Sequence, residues 1–232
     1  MSVSGFSPRI FAACVSPLED SVLYKAAYAL ASPARRQKAD RFLMEKDRRL
    51  CLGAELLLRR AVHSVGAGDF FGDFRYGEYG KPCFGESTLR FNLSHSEEWV
   101  VCAVANCEVG CDVELIAPVD PKLAERFFSG DEYRDILSQP APEAETEMFF
   151  RYWTLKESFM KATGLGMKLS LRSFEIVLGE EISVRQSVDG RQYFFREYGD
   201  IPGYRCAACA VGERPDDILN IVDLGTILSN SQ

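Results

Sequence analysis

The feature of the sequence that most restricts its fold is a run of seven almost entirely apolar residues at 99–105 (WVVCAVA). A short run of this kind is typical of a strand that is buried on both faces, which places it inside a sheet. Residues 89–93 precede it with a strand pattern, and a turn at 106–108 leads into a third strand at 109–115. We therefore expect a sheet that other elements cover on both sides.

Each half of the chain combines strands with one long helix. Apolar residues at spacings of three and four, Leu43 and Leu50 among them, predict a helix over residues 33–64, and a similar pattern predicts another over 148–163 that ends at Gly164. Further helix is predicted at 122–137, further strands near 174–178, 192–198 and 204–211, and loops at 66–85 and 139–147. This order predicts an α+β fold of two lobes, residues 1–108 and 109–232.

The composition is typical of a soluble globular protein, because 47% of the 232 residues are hydrophobic and 26% are charged. The apolar runs are far shorter than the roughly 20 residues of a membrane helix, and residues 1–20 lack the pattern of a secretion signal. We expect a cytoplasmic protein without a membrane partner. Its eight cysteines are expected to be reduced and mostly buried. A strand would direct Cys206 and Cys209 to opposite faces, which argues against a joint metal or redox site.

The charges are spread unevenly along the chain. Residues 35–60 hold nine Lys and Arg against four Asp and Glu, which leaves 18 basic against 30 acidic residues elsewhere. This distribution indicates either a local anion site or the solvated face of a helix, and the charge count alone favours the solvated face. The net charge of −7 argues against a nucleic-acid partner.

Two acids alternate in the strand Gly110-Cys111-Asp112-Val113-Glu114. Alternation places Asp112 and Glu114 on one face, with α-carbons about 6.5–7 Å apart. Two carboxylates in this arrangement can bind a hard cation such as Mg²⁺. An exposed strand face with two acids is the commoner explanation of this pattern when it is taken alone.

The helix at 148–163 carries Trp153, Glu157 and Lys161 four residues apart on one stripe. The stripe is compatible with a buried tryptophan and an ordinary Glu–Lys pair, or with a third metal ligand and a phosphate-binding ammonium. His95 stands in the polar segment 92–96, which we expect to lie between strands. Its imidazole could serve a structural role or donate to a phosphate oxygen.

Taken together, these motifs resemble the 4′-phosphopantetheinyl transferases of the surfactin-synthetase type. The resemblance covers most of the chain and is carried, in order, by Gly80-Lys81-Pro82, Phe91-Asn92-Leu93-Ser94-His95-Ser96, Gly110-x-Asp112-x-Glu114, Arg126-Phe127-Phe128-Ser129 with Glu132, and Trp153-x-x-Lys156-Glu157-Ser158-Phe159-x-Lys161. Each piece occurs by chance in other proteins, whereas the ordered set is specific.

The resemblance implies two α+β lobes related by a pseudo-twofold axis, with coenzyme A and Mg²⁺, which Mn²⁺ can replace, in the cleft between them. It implies transfer of phosphopantetheine to a serine of an apo peptidyl or acyl carrier protein, with release of 3′,5′-ADP. By position, the implied metal ligands are Asp112, Glu114 and Glu157, and the implied coenzyme A contacts are Arg35, Lys38, Arg49, Lys81, Pro82, Ser94, His95, Lys156 and Lys161.

Some questions stay open at the level of the sequence. Either Glu157 or Glu132 could take the proton of the carrier serine, and either Arg48 or Arg49 could reach the ligand. Position 111 holds Cys where the family usually has Ile or Val. A metal-dependent nuclease and a non-catalytic module that binds coenzyme A or a carrier are the alternative functions. The resemblance also implies a monomer.

Overall fold

The computed structural model describes residues 5–68, 74–85 and 87–229. The strands in these residues are β1 (Arg9–Cys14), β2 (Phe74–Tyr76), β3 (Pro82–Phe84), β4 (Arg90–Ser96), β5 (Trp99–Ala105), β6 (Val109–Leu115), β7 (Glu175–Val177), β8 (Ser183–Arg185), β9 (Tyr193–Tyr198), β10 (Tyr204–Val211) and β11 (Leu219–Ile221). The α-helices are α1 (Ser21–Leu30), α2 (Pro33–Asp40), α3 (Glu45–Ser64), α4 (Ala124–Phe127), α5 (Gly130–Leu137), α6 (Pro142–Thr163) and α7 (Leu224–Ser229).

Two sheets form the centre of the fold. The first has the strand order β11-β1-β5-β4, and the second has the order β6-β10-β9. All neighbours in these two sheets are antiparallel except β11, which runs parallel to β1. Strand β4 therefore lies at an open edge of the first sheet, and the hairpins β2-β3 and β7-β8 stand apart from both sheets.

The elements pack as four layers, helix on sheet on sheet on helix. Alternate residues of β5 serve two cores, since Val100 packs towards the helices of the first half and Val101 packs towards the second sheet. On the far side of the second sheet, Cys209 packs against α6. Residues 100–105 are all fully buried, which confirms the predicted central strand and the α+β class. In the described part of the chain, none of the helices has the length and apolarity needed to cross a membrane.

The cysteines follow the prediction. All eight are free thiols, and five of them are buried. Cys206 belongs to the core between the sheets and Cys209 to the core beneath α6, so the two thiols do point to opposite faces of β10.

The predicted helix over residues 33–64 is broken into α2 and α3, and Leu43 in the break is 92% exposed. The cause is the buried Glu55, which accepts hydrogen bonds from the backbone N (2.7 Å) and Oγ (2.9 Å) of Ser32. In one straight helix those two residues would lie about 34 Å apart. The contact therefore requires the chain to turn back between α2 and α3.

Other boundaries also differ from the prediction. Helix α6 begins at Pro142, inside the segment predicted as a loop, because proline suits a first helical turn and Glu143 and Glu145 complement the helix dipole there. The predicted helix 122–137 is interrupted because Ser129 and Glu132 form a capping box that starts α5. The predicted loop 66–85 contains the hairpin β2-β3, while its residues 69–73 lie outside the described residues.

The last elements of the chain return to the first lobe. Strand β11 joins the first sheet, and Leu224 and Leu228 of α7 pack into the core beneath α3. A division of the chain at residue 108 therefore separates this sheet from one of its own strands. The polar segment around His95 likewise differs from the prediction, because β4 continues through it to Ser96.

Helix α6 packs directly on the backbone of β6. A Cβ atom built at Gly110 would lie 2.1 Å from the carbonyl oxygen of Ser158 and 2.5 Å from the backbone N of Ala162. Only glycine permits this approach, because the obstructing atoms are backbone atoms of a helix. The close packing brings the C-terminal half of α6 against the acidic strand.

We predict that Gly110→Ala lowers the free energy of unfolding by about 1–3 kcal/mol, because the added methyl group overpacks the contact between α6 and β6. Urea denaturation of the purified protein measures this loss. The matched control is Gly190→Ala, since a Cβ atom there meets nothing within 4 Å. Equal stability of both variants and the native protein would contradict the packing argument.

Candidate active site

Side chains of β4 hold the acidic strand β6 in register with it. The Oδ1 atom of Asn92 accepts a hydrogen bond from the backbone N of Cys111 at 2.9 Å. Two residues on, Ser94 Oγ donates to Asp112 Oδ1 at 2.8 Å, and after two more Ser96 Oγ donates to Glu114 Oε2 at 2.9 Å. The strand period of two produces this series, because alternate residues of β4 share the face towards β6.

Lys161 completes the pairing of Asp112. Its Nζ atom lies 2.6 Å from Asp112 Oδ1 and 3.0 Å from Ser94 Oγ. The side chain of Asp112 is 4% exposed and that of Lys161 27% exposed. Burial disfavours the charged ammonium, yet the carboxylate of Asp112 keeps the pKa of Lys161 above its usual value.

The predicted stripe on α6 faces the same cluster. The side chain of Trp153 hydrogen-bonds Glu114. Burial and the negative charge of Asp112 raise the pKa of Glu157, and they also raise the pKa of Glu114. Asp112 therefore repels both glutamates, and the positive charge of Lys161 acts on all three carboxylates in the opposite direction.

The donor set of the cluster fits a divalent cation. Asp112 Oδ2 is buried and has no hydrogen-bond partner among the described residues, which is the state of a carboxylate oxygen suited to a cation. Within residues 5–68, 74–85 and 87–229, however, no three His, Cys, Asp or Glu side chains are already arranged to hold a metal ion. The assignment of Asp112, Glu114 and Glu157 as metal ligands thus stays a prediction. In this structure the carboxylate of Asp112 pairs with Lys161.

A cavity of about 380 Å³ lies on the other face of β4. Phe91, Leu93 and His95 of β4 line one side of it, alternating with the residues that face β6. Further lining residues come from α2, α3 and the hairpin β2-β3, and they include Arg35, Lys38, Cys51, Tyr76 and Pro82. The cavity combines apolar side chains with the cationic groups of Arg35 and Lys38 and the carboxylate of Asp47.

His95 connects the cavity with the acidic cluster. Partial desolvation and the positive charges of Lys161 and Lys38 lower the pKa of its imidazole. Lys38 lines the cavity and Lys161 belongs to the cluster, so both sites lie within electrostatic reach of one side chain. Strand β4 lies at the edge of its sheet. No other strand of that sheet therefore lies beside this edge, where the face with the cavity and the face with the acidic cluster meet.

The predicted anion contacts of the first half divide into two groups. Arg35 and Lys38 line the cavity, and Arg35 is held there by the buried Glu55, whose Oε2 lies 3.2 Å from Arg35 Nε. Arg49 does not line the cavity and instead pairs with Glu19 at 3.2 Å. Arg48 donates from Nε to the carbonyl oxygen of Phe42 at 2.9 Å. Neither arginine of the open Arg48-or-Arg49 alternative is placed on the cavity wall.

The ammonium of Lys81 is engaged within the protein. Its Nζ atom donates to Glu108 Oε2 at 2.8 Å, to the carbonyl oxygen of Val109 at 3.0 Å and to that of Ala162 at 3.3 Å. Lys81 therefore ties the start of the hairpin strand β3 to β6 and to the end of α6, while the neighbouring Pro82 lines the cavity.

Two predicted site residues lie elsewhere. Lys156 is fully buried, and its Nζ atom contacts Glu132 Oε1 at 2.6 Å, Glu132 Oε2 at 2.7 Å and the carbonyl oxygen of Phe174 at 2.8 Å. Glu132 is 1% exposed and also accepts hydrogen bonds from the backbone N of Ile176 and of Ser129. The structure therefore contradicts Lys156 as a diphosphate contact and Glu132 as a general base, because neither group is accessible. The pair joins α5, α6 and β7.

We predict that Lys156→Met lowers the free energy of unfolding by about 3–5 kcal/mol, because it leaves the carboxylate of Glu132 buried without its cation. Urea denaturation measures the change. Lys168→Met, at an exposed position just beyond α6, is the control and should change stability by less than about 0.5 kcal/mol. A loss below 1 kcal/mol for Lys156→Met would show that the pair is not structural.

The structure adds site residues to which the sequence gave no role. Ser96 and Trp153 hold Glu114, Asn92 anchors β6, and Glu55 holds Arg35. A signal was present for three of them. Asn92 and Ser96 alternate with His95 in a segment that continues a predicted strand, and Trp153 shares a helical stripe with Glu157. Glu55 gave none, because a lone acid in an apolar helix does not show which distant cation it pairs with.

Comparison with known proteins supports one family over most of the chain. Residues 108–209 match the 4′-phosphopantetheinyl transferase superfamily, and residues 16–107 match the family described as 4′-phosphopantetheinyl transferase, N-terminal. The chain is 38% identical over 208 residues to 4′-phosphopantetheinyl transferase psf-1 of Bacillus pumilus, which spans 87% of this chain and 89% of that protein.

Other relatives agree with this match. 4′-phosphopantetheinyl transferase Sfp of Bacillus subtilis (strain 168) is 35% identical over 193 residues, 81% of this chain and 85% of its own. Among solved structures, a holo-acyl-carrier-protein synthase of Thermotoga maritima aligns with 47% of this chain and 64% of its own, at a TM-score of 0.40 and 24% identity.

Proposed function

This chain belongs to the 4′-phosphopantetheinyl transferase superfamily and is a 4′-phosphopantetheinyl transferase, and we propose that the cluster of Asp112, Glu114, Glu157 and Lys161 is its catalytic centre. The donor is coenzyme A, the acceptor is a serine of an apo peptidyl or acyl carrier protein, and 3′,5′-ADP is released. The observation that carries this assignment is the position of the acidic cluster and the cationic cavity on the two faces of β4, within reach of His95.

The cavity supports binding of the nucleotide end of coenzyme A. Its apolar residues and Pro82 suit the adenine ring, and Arg35 and Lys38 suit the 3′-phosphate. His95 and Ser94 lie between this end and Lys161, where the diphosphate would run. Lys81 would act on the donor only through the placement of Pro82, and Arg49 has no donor contact in this proposal.

The acids support a divalent cation at the diphosphate. Asp112, Glu114 and Glu157 would hold Mg²⁺, or Mn²⁺ in its place, and the bound ion would offset the negative charge of the diphosphate. The ammonium of Lys161 would stabilise the oxygen that leaves with 3′,5′-ADP.

The remaining step is the removal of a proton from the carrier serine. Burial and the charge of Asp112 raise the pKa of Glu157 while no cation is bound. A divalent cation held by Glu157 would weaken it as a base, so the proton would go to its oxygen that does not bind the metal. Glu157 would take the serine proton directly or through a water molecule, the serine oxygen would bond to phosphorus, and the bond from phosphorus to the 3′,5′-ADP oxygen would break.

Separate observations argue against the two alternative functions, a nuclease and a non-catalytic binding module. A nuclease needs a basic track for a nucleic-acid backbone, whereas the cations at the cavity form a single confined site. A non-catalytic module would not need Lys161 and three acids together. We further propose that the enzyme acts as a monomer in the cytoplasm, where its free thiols stay reduced.

We predict that Glu157→Ala abolishes transfer and leaves the fold intact. The measurement is the mass gain of apo peptidyl, polyketide and fatty-acid carrier domains that are incubated with coenzyme A and Mg²⁺, with circular dichroism as the check on folding. Glu143→Ala, an exposed acid in the first turn of α6, is the control that should keep full transfer. If no carrier gains mass with the native enzyme, the proposed function fails; if Glu157→Ala keeps activity, only the role of Glu157 fails.

We predict that Lys38→Ala raises the KM for coenzyme A roughly tenfold or more and leaves the KM for dephospho-coenzyme A, which lacks the 3′-phosphate, nearly unchanged. A hydrogen bond to a charged group is worth about 1.5–3 kcal/mol, which corresponds to this change. Arg60→Ala, at an exposed position late in α3, is the control. An equal rise with both donors would place Lys38 away from the 3′-phosphate.

A further inference from the structure

The ammonium of Lys161 lies at the carboxylate of Asp112, which the proposed function assigns to the divalent metal ion. This ammonium contacts Asp112 Oδ1 at 2.6 Å, whereas Asp112 Oδ2 has no hydrogen-bond partner in the described part of the chain. One oxygen of the carboxylate is thus neutralised by an internal cation and the other is left for a different partner.

Lys161 is also the cation that offsets the whole acidic cluster. Its Nζ atom contacts Asp112 Oδ1 at 2.6 Å, and Asp112 is the acid that repels both Glu114 and Glu157. Three neighbouring carboxylates without a counterion repel one another strongly in a partly dry site. Within the described residues, Lys161 is the cation that acts on all three.

We propose that Lys161 is the internal counterion of the acidic site before metal and donor bind, and that its ammonium competes with the divalent cation for Asp112. The inference rests on the proposed function. It goes beyond a phosphate contact for Lys161, because it assigns the same ammonium a second, alternative partner. A lysine side chain on the last turn of α6 can exchange these partners by rotation about its own bonds, and its 27% exposure leaves room to do so.

Competition of this kind makes metal binding and donor binding support each other. A divalent cation that binds alone at Asp112 Oδ2 is repelled by the ammonium at Oδ1, so it must push Lys161 away from its closest anion. A bound diphosphate offers the displaced ammonium a new anionic partner, so the same separation costs less. By linkage, each ligand then raises the affinity of the other.

The test measures metal binding without coenzyme A. Mn²⁺ alone is titrated into the native enzyme, Lys161→Met and the charge-matched control Lys168→Met, and free Mn²⁺ is followed by electron paramagnetic resonance. Removal of the competing charge should tighten Mn²⁺ binding by Lys161→Met roughly tenfold or more, and the control should match the native enzyme. Adding Asp112→Asn to Lys161→Met should remove the gain, because the exchange takes place at that carboxylate.

Unchanged, weaker or absent Mn²⁺ binding by folded Lys161→Met would overturn the inference. Lys161→Gln serves if the methionine variant does not fold. A crystal structure of the native enzyme with Mn²⁺ and no donor gives an independent measure: the distance between Lys161 Nζ and Asp112 Oδ1 should exceed 4 Å, and Mn²⁺ bound at Asp112 with the 2.6 Å contact intact would also overturn it. The transfer assay with carrier domains separates this outcome from failure of the proposed function, since Mn²⁺ binding is measured without donor or acceptor.

Discussion

The site depends on the direct contact between helix α6 and the backbone of strand β6 at Gly110. A side chain at this position would meet backbone atoms of Ser158 and Ala162 at less than 3 Å, so the helix can approach only a glycine. The approach sets the distance from Lys161 to Asp112, and it brings Glu157 within electrostatic range of the same acid. The position of the charged groups is thus a consequence of backbone packing.

The edge strand β4 organises what surrounds this contact. Its polar residues on one face fix the acidic strand, and on its other face Phe91, Leu93 and His95 line the cavity. Because alternate side chains of β4 point to opposite faces, the cavity lies on one face of this strand and the charged cluster on the other. The two sites meet at the free edge of the strand. The two sheets meet here, and α7 packs into the core beneath α3 from the C-terminal end of the chain.

Charged residues in this protein form either structural or reactive ion pairs, and the sequence pattern does not distinguish the two. The pair Glu132–Lys156 is buried on both sides, and it connects elements that are distant in sequence. The contact of Lys161 with Asp112 is partly accessible and leaves one carboxylate oxygen without a partner. Burial and the number of remaining partners distinguish a structural ion pair from a reactive one, because a fully paired, inaccessible group cannot exchange its partner for a ligand.

The sequence by itself determined the α+β class, the central strand, the opposite directions of Cys206 and Cys209, and the family, because local periodicity and the order of motifs are properties of the chain. It placed Asp112 and Glu114 on one face, and Glu157 and Lys161 on one stripe, for the same reason. Only the tertiary structure decided that α2 folds back onto α3, that Lys156 is buried, and that Lys161 contacts Asp112. Those facts depend on which distant groups become neighbours, and a local pattern carries no information about the partner of a buried charge.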